Sequence, residues 1–310
     1  MRKRTASLLT ALLLLLALPS LAAAQDRQPI TVATMIDSEG AVLGKAIVQL
    51  LTENGVEVID RTEFGTPDIL RLALESGEVD LVVDYTGSGQ YYHTVEDTSV
   101  FSDAVKGYET TRQLDLEAND IHWLTPSPAN NTEGLAVRRE FAQQEGLKTI
   151  QDLADYVNAG KDVKLITASY FAENLLGLAG FEEAYGFKLR ADQLIVLASG
   201  NTAEMLKALY EQRDGVNVSL VYGTDGALKQ MNLVVLEDPK SIPPVYLPAP
   251  VIRGEALRAW PQVEELLKPL FLSLDLTTLQ GLNAQVAFEG HDPAEVAREY
   301  LTSIDLLPAK

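Results

Sequence analysis

The sequence predicts an α/β protein of two lobes, each a mostly parallel sheet flanked by helices, joined by two interlobe crossings. Two observations predict this. Short β-branched runs alternate with helix-period segments along the chain, and a break rich in proline and asparagine at residues 125–132 divides that alternation into two blocks. Length agrees, because 310 residues exceed one typical core of ~100–200 residues.

Residues 1–24 read as a secretory signal peptide, with Arg2, Lys3 and Arg4 as the basic start, Leu8 to Leu18 as the apolar run and Ala22-Ala23-Ala24 as the cleavage site. The mature chain should begin near Gln25. No later segment approaches the ~20 apolar residues of a spanning helix. There is no cysteine, which excludes disulfides, thiolate chemistry and lipid attachment at a cysteine. The expected product is a freely diffusing periplasmic protein, not a lipoprotein. Losing three of 25 cations with the signal leaves 22 against 44 acids, so the net charge moves from −19 to −22. Such a surface repels nucleic acid and anionic lipid, although acidity by itself also serves solubility.

The elements follow in order. Residues 30–33 form a strand, and residues 39–53 a helix whose Val42, Ala46, Ile47, Leu50 and Leu51 recur at helical spacing before Asn54-Gly55 stops it. Strands at 56–59, 79–83 and 121–124 alternate with helices at 67–75 and 102–116. The break at 125–132 is the first crossing, since its prolines and asparagines favour an extended segment. The second block places strands at 134–138, 164–167, 194–197 and 216–222, with helices at 149–158, 171–185 and 203–211, and ends at Gly223-Thr224-Asp225-Gly226. Strands at 233–236 and 249–252 and helices at 261–271, 276–284 and 293–303 return to complete the first lobe. The expected organisation is therefore signal peptide 1–24, first lobe 25–130, second lobe 131–223 and first-lobe return 224–310.

Catalytic chemistry finds little support. His93, His122 and His291 lie far apart without metal-ligand spacing, and no nucleophile elbow, Walker loop or dinucleotide fingerprint occurs. Acid pairs such as Asp37 with Glu39 or Asp80 with Asp84 arise by chance among 44 acids. The more unusual feature is aromatic. Strand 79–83 runs into Asp84-Tyr85-Thr86-Gly87-Ser88-Gly89-Gln90-Tyr91-Tyr92, three tyrosines and a carboxylate about a flexible turn. Tyrosine faces attract a compact organic cation, each for ~0.5–2 kcal/mol when desolvated, though tyrosines at strand ends also serve as packing.

Six segments in order resemble the substrate-binding proteins of osmoprotectant ABC importers, the glycine betaine and choline family, and within it the OsmF-like subgroup. They are Ile36-Asp37-Ser38-Glu39-Gly40, Asp84-Tyr85-Thr86-Gly87, Thr125 to Thr132, Ala184 to Leu189, Tyr222 to Gly226 and Pro248 to Arg253. The resemblance covers essentially the whole mature chain. It implies a type II-like periplasmic binding protein whose lobes close on a quaternary ammonium solute, with an inner-membrane ABC permease as partner. No cofactor, no catalytic residue, no metal and no nucleic acid are expected, and the chain should act as a monomer.

The resemblance also implies the site. Tyr85 and Tyr222 match cage tyrosines, Ser88 a hydroxyl near the ligand carboxylate, and Asn131 and Thr132 the turn after the first crossing. Glu39, Asp84, Thr224, Asp225 and Tyr170 complete the candidates, with Tyr91 and Tyr92 beside them. Three positions depart from the family. Met35 stands where a lysine is usual, Asn174 where an arginine is usual, and Glu133 where an aromatic residue is usual. The missing cations would clamp a carboxylate for ~1.5–3 kcal/mol each. Glu133 repels a carboxylate and attracts a cation, so the expected ligand is cationic or uncharged, choline-like or otherwise, in preference to glycine betaine. The competing readings are a periplasmic hydrolase or deaminase-like enzyme on the same scaffold, and a ligand sensor.

Overall fold

The computed structural model describes residues 27–198 and 202–308. The signal peptide expected at 1–24 lies outside them. In chain order the elements are β1 (Ile30–Met35), α1 (Ser38–Glu53), β2 (Val58–Gly65), α2 (Pro67–Ser76), β3 (Leu81–Tyr85), α3 (Gly89–Tyr92), α4 (Ala104–Asn119) and β4 (Ile121–Trp123). There follow β5 (Glu133–Arg138), α5 (Arg139–Glu145), α6 (Ile150–Asn158), β6 (Leu165–Ala168), α7 (Ser169–Glu173), α8 (Leu178–Tyr185), β7 (Leu194–Leu197), α9 (Thr202–Glu211) and β8 (Val218–Tyr222). The chain ends with α10 (Ala227–Gln230), β9 (Leu233–Val235), β10 (Pro248–Arg253), α11 (Gly254–Ala259), α12 (Gln262–Ser273), α13 (Leu276–Ala287) and α14 (Pro293–Ser303).

Two five-stranded sheets form, in the orders β2-β1-β3-β10-β4 and β7-β6-β8-β5-β9. In each, four strands run one way and one is reversed. The reversed strands are β10, antiparallel to β3 and β4, and β5, antiparallel to β8 and β9. Each is the strand by which the chain enters its sheet from the other lobe. The crossing segment therefore leaves the carboxyl ends of the parallel strands directed at the junction, where ligands bind in open α/β sheets.

Pairing of β9 with β5 corrects the expected boundary at 224. Val234 stands opposite Val137 and Leu233 opposite Arg138, and Ala227 and Leu228 pack in the second-lobe core. The second crossing is therefore the proline-rich stretch before β10. It lies beside the first: Asn131 N donates to Tyr246 O and Ser127 N to Pro248 O, each at 2.9 Å. The C-terminal helices pack on α1, with Leu267, Leu270, Phe271, Leu279 and Leu301 sharing its core.

Local chemistry explains the element ends. Asp37 caps α1 by accepting from Gly40 N at 2.6 Å, and a side chain at Gly40 would meet Met35 O at 2.3 Å, which ties the helix start to the end of β1. Thr149 and Asp152 form a capping box on α6. The single helix expected over 171–185 is instead α7 and α8. Asn174 adopts an extended conformation, and a Cβ at Gly177 would meet Phe171 O at 2.5 Å. The turn expected to be flexible after β3 is ordered: Thr86–Ser88 is a 3-10 turn and α3 follows at once.

Candidate ligand site between the lobes

The strand ends meet around one carboxylate. Glu39, in the first turn of α1 and only 5% exposed, accepts from the Tyr85 hydroxyl at 2.7 Å and from Asn283 Nδ2 of α13 at 2.7 Å. Asn131 Nδ2 approaches it at 3.5 Å, and Asn131 Oδ1 accepts from the Thr224 hydroxyl at 2.7 Å. Asn283 also donates to Thr224 O at 2.9 Å. One carboxyl thus links the first lobe, the first crossing and the turn that follows β8. Burial pushes Glu39 up to about 7 despite these donors.

Next to this node stands a wall of phenols with a second carboxyl. The Tyr170 and Tyr222 hydroxyls lie 2.5 Å apart, and Tyr170 also hydrogen-bonds to Glu133. Glu133 and Tyr222 are direct partners across the β5–β8 ladder, so their side chains share a face. Tyr246 of the second crossing carries its hydroxyl 3.2 Å from that of Tyr91 and feels the charge of Glu133. Burial raises Glu133 to about 7. It also raises Tyr170 and Tyr222, with the nearby Glu133 charge adding to both. Among the described residues no lysine or arginine pairs with Glu39 or Glu133.

The structure therefore brings Tyr85, Glu39, Asn131 and Thr224 into one group and Glu133, Tyr170 and Tyr222 into another. Asp37 joins them electrostatically, since its charge reaches Tyr85, Tyr222 and Asp225. Other candidates do structural work. Asp84 is buried, accepting from the Tyr92 hydroxyl and from Tyr85 N, both at 2.7 Å, with Ser88 also bonded to it. It is not a free carboxylate in the cleft. Asp225 accepts from Tyr222 N at 2.7 Å and from the Thr202 hydroxyl at 2.9 Å, and burial raises it to about 6. Thr132 donates to Pro244 O and Asn130, fastening the crossings to each other. Asn174 accepts from Leu176 N in its own turn, and Met35 packs partly buried at the end of β1.

A cavity of about 320 Å³ also runs along the crossings, lined by Asn130, Thr132, Glu133, Val245 and Gln280 among others. Tyr85, Tyr170 and Tyr222 do not line it, so it adjoins the aromatic group on the side of the crossings and shares Glu133 with it. Among the described residues, no group of three or more histidines and acids is placed to hold a metal. No helix among them is long and apolar enough to cross a membrane.

A buried aromatic and acidic junction between two α/β lobes fits a binding protein, and comparison with known proteins decides its family. Residues 28–303 match the substrate binding domain of ABC-type glycine betaine transport systems. The chain belongs to that family. It is a substrate-binding protein of that ABC importer family.

Among relatives of this binding protein, the glycine betaine-binding protein YehZ of Escherichia coli is 44% identical over 277 residues, covering 89% of this chain and 91% of its own. A glycine-betaine-binding protein of Pseudomonas aeruginosa is 32% identical over 276 residues, covering 87% and 86%. The solved structure of apo YehZ from Escherichia coli superposes with a TM-score of 0.78 at 43% identity, over 90% of this chain and 100% of that one. A glycine betaine/carnitine/choline ABC transporter structure shares the fold at TM-score 0.78 and 24% identity, covering 89% and 99%.

Two members of this candidate site escaped sequence reasoning. Asn283 lies on the amphipathic α13 and reads locally as an ordinary polar face. Tyr246 sits in Pro243-Pro244-Val245-Tyr246-Leu247-Pro248, whose prolines carry the same crossing signal as residues 125–132 and so mark the segment.

Proposed function

We propose that this protein captures a small quaternary ammonium solute in the periplasm and presents it, lobes closed, to the permease of its importer. The names of the Escherichia coli and Pseudomonas aeruginosa relatives support that ligand class. Closure follows from the ligand binding the closed arrangement more tightly than the open one. In this reading it is a carrier and not an enzyme.

One observation carries a finer preference. Glu133 stands in a wall of tyrosines with no basic side chain paired to it, and the positions at Met35 and Asn174 supply no charge for a carboxylate. With Glu133 ionised, a cation such as choline is favoured over a zwitterion such as glycine betaine.

The test is a titration of the chain from residue 25 onward with choline, carnitine and glycine betaine at pH 8, by calorimetry and thermal shift. Choline should give the largest stabilisation, following RT ln(1 + [L]/Kd). Tight binding of glycine betaine with choline ignored would overturn the preference. Binding of neither would overturn the ligand class.

A further inference from the structure

The preference for a cation holds only while Glu133 carries its charge. Its surroundings make that charge conditional. The carboxyl faces Tyr170 of α7, Tyr222 of β8, Tyr246 of the second crossing with Tyr91 behind it, and, further off, the acids Asp37 and Asp225. None of these offers a positive charge, and among the described residues only the Tyr170 hydroxyl donates to it. The row from Tyr222 through Tyr170 to Glu133 has two phenolic protons for two acceptors when Glu133 is ionised. When Glu133 is protonated, the row has a donor to spare.

We propose that the proton on Glu133 selects between two classes of quaternary ammonium ligand. Ionised, the carboxylate holds a cation that lacks a carboxylate of its own. Protonated, it donates a hydrogen bond to the carboxylate of a zwitterion. This rests on the ligand class proposed above and goes beyond it. Among the described residues no lysine or arginine is there to clamp a carboxylate, and a protonated carboxyl is a neutral donor that does so.

Burial already lifts Glu133 to about 7, so both forms are populated near neutral pH. The signs follow from linkage. Affinity for choline rises as pH rises through that value, and affinity for glycine betaine falls. If each ligand binds one form only, each affinity changes by up to about 30-fold between pH 5.5 and 8.5, in opposite directions.

The experiment measures Kd for choline and for glycine betaine at both pH values by calorimetry, in the wild-type protein and in Glu133→Gln, Glu39→Gln and Asp225→Asn. Opposed slopes in the wild type, flattened in Glu133→Gln and kept in the other two, support the proposal. Flat slopes in the wild type overturn it while leaving the ligand class intact. Slopes that survive in Glu133→Gln but vanish in Glu39→Gln or Asp225→Asn also overturn it, since another carboxyl would then carry the proton. Absence of binding by either ligand at both pH values overturns it together with the ligand class. Glu133→Gln keeps the shape of the side chain and the Tyr170 contact, and its melting temperature is read alongside to confirm folding.

Discussion

The Tyr85 hydroxyl donates to Glu39 Oε1 at 2.7 Å, and through that contact the end of β3 is tied to the start of α1. Because Asn131, Thr224 and Asn283 converge on the same group, a tyrosine matched to a cage position also belongs to the device that joins the lobes. Its ring remains at the junction while its hydroxyl is committed. A ligand meeting Tyr85 therefore meets no free donor there.

Glu39 makes stability fall as pH rises. Its folded value of about 7 exceeds the ordinary 4.5, so the folded state holds a proton that the unfolded state gives up between those values. Stability is greatest at and below pH 4.5 as far as this group is concerned, and is lost through pH 7, by up to about 3 kcal/mol. Thermal melts of Glu39→Gln from pH 4.5 to 8 should show a flatter profile than the wild type. An unchanged profile would mean that Glu39 is ionised throughout. The buried Asn283 Oδ1 has no partner, so Asn283 can turn to receive the new amide.

The alternation of strands and helices was readable because periods of two and 3.6 are local properties of the chain. The first crossing was readable for the same reason, through Pro126, Pro128, Asn130 and Asn131. The candidate site was only half readable. Tyr85 and Tyr222 stand at strand ends, where sequence places ligands, but Asn283 reaches Glu39 across 244 residues and no local pattern marks such a pair. The second lobe's boundary was misplaced because Gly223-Thr224-Asp225-Gly226 carries a strong turn signal. That turn leads into α10 and β9 of the same lobe, and the weaker-looking proline run makes the crossing.

Gly223 is held by contact between the lobes' connections. A Cβ there would lie 2.2 Å from Asn130 O, a backbone atom of the first crossing, and Gly223 O accepts from Gln280 Nε2 at 2.7 Å. Gly223→Ala should force the crossing and the turn apart at a cost of about 1–3 kcal/mol. It should also change the interlobe angle, which small-angle scattering of the ligand-free protein reads. A variant as stable as wild type with unchanged scattering would show that the turn accommodates the methyl group.

Asp115 offers a test of stability separate from the site. It is fully buried, bonded to both Arg71 terminal nitrogens at 2.6 and 2.8 Å and to Trp123 Nε1 at 2.6 Å. Burial opposes its charge, yet these donors hold its carboxyl below the usual aspartate range. Asp115→Asn leaves a buried guanidinium with one acid, Glu75, and should cost about 3–5 kcal/mol in denaturant unfolding. Choline affinity below the melting temperature should stay within twofold. A large affinity loss would show that this cluster reaches the ligand through Tyr92, which lies under Arg71 at 4.1 Å.

Tyr222 separates the work of a ring from that of a hydroxyl. Its face belongs to the aromatic wall, and its hydroxyl stands 2.5 Å from that of Tyr170 at the head of the row ending on Glu133. Tyr222→Phe keeps the quadrupole and should leave choline affinity within about threefold at pH 8, where Glu133 needs no help to stay ionised. Tyr222→Ala removes the ring and should weaken choline by about 0.5–2 kcal/mol, or roughly 2- to 30-fold. Equal losses in the two variants would place the energy in the hydroxyl row. A loss in neither would remove Tyr222 from the ligand's surroundings and leave Tyr170 and Tyr246 to form the wall.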